Sequence, residues 1–109
     1  MENIINKGEK FQLTESVTYS AQAVVSKAIL KKESGNVTLF AFEKGEGLSE
    51  HTAPFDAMVH VLDGSVEIKI GGQPHLLNTG EAIIMPANIS HALKATERFK
   101  MMLIMIKEK

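Results

Sequence analysis

Four histidines, His51, His60, His75 and His91, carry most of the chemistry this sequence offers. There is no cysteine, so disulfides, thiolate metal sites and cysteine nucleophiles are excluded. No phosphate loop, dinucleotide fingerprint or nucleophile elbow is present. His51 and His91 are distinguished by their setting. Each lies in a stretch that begins with glycine turn chemistry and carries its histidine in or beside a β-patterned run: Gly45 to Gly64, GEGLSEHTAPFDAMVHVLDG, and Gly80 to Ala95, GEAIIMPANISHALKA. Two imidazoles of this kind can bond water, backbone or a bound ligand, or contribute to a metal centre. A mononuclear centre wants three or more protein ligands, with each histidine tethered through its other nitrogen, so two imidazoles alone hold a divalent ion weakly. A third ligand would have to come from Asp56 or His60 through a bulge, or from an exogenous anion.

The remaining chemistry-bearing residues have plainer uses. By strand parity His60 lies with Met58 and Leu62, away from the face of His51, where an interface or inter-sheet histidine is expected. His75, beside Pro74, reads as surface. Asp56 has two readings: a general base or a tether for His51 at the mouth of a site, or a turn aspartate capping backbone N–H groups after Pro54. Glu46, Glu50, Asp63, Glu67 and Glu81 fall at turns or on wet faces. Of the six methionines, Met101, Met102 and Met105 belong to an unbroken apolar strand, where gap-filling is the ordinary use of the side chain, while Met58 and Met85 could soften a pocket for an apolar ligand.

The elements that must position these residues read as strands. Phe11 to Val17 and Ala23 to Leu30 are expected to be short strands, although a helix over Ala21 to Leu30 satisfies the pattern too. Ser34-Gly35-Asn36 is a turn, and Val37 to Phe42 resumes with β-branched and aromatic residues. Asp63-Gly64 predicts a tight hairpin, since a primed turn needs positive φ. Ser65 to Ile70 alternates, with Val66, Ile68 and Ile70 on the dry side. Gly71-Gly72 and Asn78-Thr79-Gly80 turn the chain again, at the spacing of a sandwich or barrel. In Phe99 to Ile106 one row holds Phe99, Met101, Leu103 and Met105, and the other Met102, Ile104 and Ile106. A strand dry on both faces must be covered twice, by the barrel interior and by another sheet, an N-terminal strand or a second subunit.

The two histidine stretches resemble the two conserved motifs of the cupin superfamily, which are small double-stranded β-helix barrels. The first motif reads Gly, five residues, His, one residue, His, three or four residues, Glu, six residues, Gly; here Gly45, His51 and Gly64 are in register, with Ala53 at the second histidine position and Ala57 at the glutamate position. The second reads Gly, five residues, Pro, one residue, Gly, two residues, His, three residues, Asn; Gly80, Pro86 and His91 match, while Asn88 replaces the glycine and Ala95 the asparagine. The resemblance covers about residues 35 to 107 and implies an all-β, jelly-roll-like fold; the length gives one domain over 1–109, and the polar stretch at 1–10 is expected to be frayed, apart from Ile4 and Ile5, which could tuck against a neighbour. It also implies that His51, Ala53, Phe55, Ala57, Val59 and Val61 face the barrel interior, as long as no bulge at Pro54 shifts the register. Two of the four usual metal ligands are then alanines, leaving His51 and His91 as the metal candidates for a divalent ion such as Fe, Mn, Zn or Ni.

Composition narrows the function further. Hydrophobic residues at 44% and charged residues at 23% are the balance of an ordinary globular domain, and a net charge of −1 offers no footprint for nucleic acid or an anionic membrane. No stretch reaches the length of a membrane span and the chain opens without an apolar leader, so a cytoplasmic protein is expected. Three functions stay open. The first is a small molecule held in the barrel by His51, Ala53, Phe55, Ala57, Val59 and His91. The second is a metal-dependent dioxygenase or isomerase with an unorthodox third ligand. The third is a barrel packed shut that serves only as a structural module. A homodimer is expected in each case, because cupins are commonly dimers and the last strand is apolar on both faces.

Overall fold

The computed structural model describes residues 5–107, all of whose regular structure is β, so the helical alternative for Ala21 to Leu30 is set aside. Ile4 lies outside the described residues. The strands are β1 (Val24–Lys32), β2 (Gly35–Phe42), β3 (Gly47–His51), β4 (Asp56–Ile70), β5 (Gln73–Asn78), β6 (Ala82–Met85), β7 (His91–Lys94) and β8 (Phe99–Ile106). Every pairing between them is antiparallel. One sheet runs β1-β2-β8-β4-β6 and the other β5-β4-β7-β3.

β4 is the hinge of this arrangement. Its first half pairs with β6 and β8, and its second half with β5 and β7. The chain changes sheets at Asp63-Gly64, where the register against β8 shifts between Val61 and Asp63. The hairpin expected there is therefore corrected to a bulge within one continuous strand. Gly64 has a φ of 83°, and a Cβ at that position would lie 1.9 Å from the Arg98 carbonyl oxygen, so glycine is required both by the bend and by the approach of β8. Gly71-Gly72, with φ of 55° and 82°, does close a two-residue hairpin, pairing Ile70 with Gln73.

The inner faces of the two sheets enclose the main core, which contains Phe42, Val59, Val61, Val66, Ile68, Leu93, Phe99 and Met101. Phe42 and Phe99, cross-strand partners on β2 and β8, stack with ring centroids 4.6 Å apart and planes 6° from parallel. Burial of each such ring is worth about 1.5–3 kcal/mol. A second cluster covers part of the outer face of the first sheet, where Val17 packs on Leu39 and Ala41 beside Leu13, Tyr19, Val25, Ile29, Leu62 and Met102.

The segment that provides this cover is not the strand expected over Phe11 to Val17. Ser16 donates from its backbone N–H to the Leu13 carbonyl and from its Oγ to the Gln12 carbonyl, local bonds that turn the chain instead of offering it to a sheet. Tyr19 then anchors the segment. Its hydroxyl donates to Asp63 Oδ2 at 2.6 Å, the Arg98 guanidinium sits 3.8 Å over its ring, and Lys100 Nζ donates to the Thr14 carbonyl.

Candidate functional site: a pocket between two histidines

β3 and β7 bring His51 and His91 together because the two residues are cross-strand partners. Gly47 permits the close approach of these strands, since a Cβ there would lie 2.2 Å from the Leu93 carbonyl oxygen. The imidazoles meet edge to face, with centroids 4.3 Å apart and planes at 70°. His51 is exposed at the mouth, whereas His91 is only 5% exposed and is the buried polar residue among the described residues.

Both rings are held the same way. His51 Nδ1 lies 2.6 Å from the Ser49 carbonyl oxygen and His91 Nδ1 lies 3.3 Å from that of Ile89. A carbonyl can only accept, so Nδ1 carries the hydrogen in each contact, and in the neutral ring Nε2 keeps its lone pair. Burial, together with the neighbouring His51, holds the His91 pKa below its ordinary value despite the opposing contact with Ile89. At neutral pH His91 is therefore an uncharged acceptor.

The cavity beside these rings has a volume of about 60 Å³. Apart from the two imidazoles its wall is apolar: Leu48, Ala53, Ala57 and Leu93, with Met85, Met101, Leu103 and Met105. His51, Ala53, Ala57 and His91 thus gather as the sequence suggests. Phe55 and Val59 do not join them. β3 ends at His51 and β4 starts only at Asp56, so the pleat is interrupted around Pro54. Phe55 is half-buried outside the wall, 5.9 Å from Lys107 Nζ, and Val59 and Val61 point inward but are fully buried in the core.

Asp56 adopts the plainer of its two readings. Its Oδ1 accepts the Ala87 N–H at 2.8 Å, while the Asn88 N–H donates to the Ala53 carbonyl at 2.7 Å. These two bonds tie the loop before β4 to the loop before β7 and set Ala53 at the pocket mouth. Asn88 has a φ of 64°, a left-handed conformation that asparagine tolerates better than most residues, which accounts for its place where glycine is usual. His60 is half-buried in the outer row of β4, opposite Ala82 and Met102. His75 is exposed on β5.

These positions do not fit a divalent ion of the kind the resemblance implies. Neither Asp56 nor His60 reaches the cavity wall, and among the described residues no group of three or more His, Cys, Asp or Glu side chains is placed to hold a metal. Leu48, Leu93 and the convergence of Met85 with Met101 and Met105 carry no signal in the local sequence pattern. The inward row of β8 was readable as a row, but its meeting with Met85 depends on the β6–β4–β8 pairing, which no local pattern encodes.

Comparison with known proteins agrees with the architecture. A conserved protein of unknown function from Streptococcus pyogenes is 34% identical, with a TM-score of 0.92 over 98% of this chain and 94% of that one. A cupin 2 conserved barrel domain protein from Leptotrichia buccalis is 45% identical, with a TM-score of 0.87 over 89% of this chain and 47% of that one. Protein SchB of Streptomyces halstedii is 31% identical over 64 residues, which are 58% of this chain and 46% of that protein, so the match spans less than half of its length. Among the described residues no helix is long and apolar enough to cross a membrane. A family model described as a cupin domain matches residues 38–107, more than half of the sequence, and the chain therefore belongs to the cupin domain family.

Proposed function

We propose that this cupin binds a small, neutral, hydrogen-bond-donating molecule in the barrel between His51 and His91, without a divalent metal centre of the usual family type. The observation that carries this reading is the composition of the wall: two imidazoles with free Nε2 acceptors in an otherwise apolar lining without a carboxylate. Such a wall favours an alcohol or phenol hydroxyl over an anion, which would meet the lone pair of the uncharged His91 and no lysine, arginine or hydroxyl donor. The size of the cavity limits the guest. A sealed cavity of about 150 Å³ holds benzene, so 60 Å³ accepts one end of a phenol-sized molecule and leaves the rest at the mouth beside His51.

The test is a titration with phenol of protein carrying ¹³C-labelled methionine methyl groups. Saturable shifts of Met85, Met101 and Met105 are expected, and their loss in a folded Ala57→Leu variant, whose longer side chain fills the cavity. Phenol that leaves these methyls unmoved at saturating concentration would contradict the proposal.

We also propose that the protein acts as a cytoplasmic homodimer through the outer face of its first sheet. Successive cross-strand pairs run Leu30, Val37, Ile104, Met58 and Ile84 across five strands. Within or beside this ladder Ile84 is 63% and Ile106 64% exposed, an apolar surface that a second copy would cover.

A further inference from the structure

We infer that the same pocket is a site for a soft monovalent cation, the chemistry of Cu(I), held by the imidazoles of His51 and His91 and the thioethers of Met85 and Met105. The inference rests on the reading that the pocket admits a guest, and it adds a second class of guest recognised by different atoms. The donors come from opposite sides. His51 and His91 belong to one sheet, and the methionines to the other. Ala57 is the direct cross-strand partner of both Met85 on β6 and Met105 on β8, and all three line the cavity. Ala57 therefore lies between two methionine positions that line the same cavity as the histidine pair, and Met101 adds a third sulfur-bearing side chain to the wall.

Charge and softness then select the ion. Thioethers are soft, polarisable ligands that favour Cu(I) over harder divalent ions. The wall contains no carboxylate to offset charge, and the cost of moving an ion out of water rises with the square of its charge. A divalent ion would thus meet about four times the penalty of a monovalent one in the same neutral cavity. The two imidazoles also stand beside one another at the cavity. The two rings lie with centroids 4.3 Å apart and both line the cavity whose opposite wall carries the methionines. Binding involves no electron transfer, because the ion is supplied and retained in its reduced state.

The experiment is an anaerobic titration with Cu(I) against a chromogenic cuprous chelator, with Ag(I) as a redox-inert second probe. It compares the parent with the double variant Met85→Leu, Met105→Leu, which conserves side-chain volume and removes both thioethers. The expected result is one equivalent per chain in the parent, at least a tenfold weaker affinity in the double variant, and no displacement by excess Mn(II) or Zn(II). Equal Cu(I) affinity in parent and double variant overturns the inference, as does parent uptake well below one equivalent. Phenol titration of the same samples separates the two readings. Phenol binding without Cu(I) uptake sinks the cation site and leaves the organic guest, whereas Cu(I) uptake lost in the double variant without phenol binding supports the cation site and sinks the organic guest.

Discussion

His91 links protonation to stability. The unfolded imidazole takes its ordinary value of 6.5, and burial lowers it in the folded chain. Between those two values the unfolded state binds more protons, so stability is greatest above 6.5 and declines as the pH falls through the folded value. Urea midpoints measured from neutral pH to well below 6.5 should therefore decline in the parent and decline less in His91→Gln. Equal pH slopes would contradict the burial argument. Asp56 acts at the same scale through a single contact. Asp56→Ala removes the acceptor of the Ala87 N–H and is expected to cost about 1 kcal/mol in urea denaturation, with the wall residues His51 and His91 unchanged. The two positions differ in legibility. His51 and His91 could be singled out through the resemblance of their glycine-flanked stretches to the two cupin motifs, but the choice between base and backbone cap for Asp56 depended on where the loop before β7 would lie, which its neighbours in sequence do not determine.

Among the elements, β4 decides the architecture because it belongs to both sheets. Gly64→Ala would force a side chain into positive φ and against the Arg98 carbonyl, and a loss of about 2 kcal/mol or more is expected from thermal or urea unfolding. A neutral effect would show that the bend at Asp63-Gly64 can relax. On β8, Phe99→Ala removes one half of the stacked pair from the core and should cost about 3–5 kcal/mol in the same measurement. The alternation of Ser65 to Ile70 was readable because one face is dry, and Val66 and Ile68 are fully buried as that pattern requires. Asp63-Gly64 forms a bulge and not the expected hairpin for a physical reason: the pair signals positive φ, and a bulge uses the same φ as a hairpin without reversing the chain. The turn at Leu13 to Ser16 was misread because side-chain and backbone bonds within the segment outweigh its strand-like composition.

The described residues form a barrel with an apolar pocket wall inside and an apolar ladder outside. If the ladder is an interface, sedimentation of the parent should give twice the chain mass of 11.9 kDa, and Ile84→Lys should shift the population to monomer while leaving the fold intact. A monomeric parent would contradict the dimer. The fold was legible because turn glycines and dry strand faces recur along the whole chain. The pocket was legible only in part: Met85 lines it as expected and Met58 does not, while Leu48 and Met105 reach it through pairings between distant strands. The pocket depends on its two imidazoles, each presenting Nε2 as an acceptor to a guest. The most direct test of that role is a long-range ¹H–¹⁵N spectrum of the histidine side chains, recorded with and without phenol. Nδ1-protonated rings at His51 and His91 are expected in the free protein, with both Nε2 resonances shifting on binding and His60 and His75 unmoved. Protonation at Nε2 in the neutral rings, or Nε2 resonances that stay fixed as phenol saturates, would contradict it.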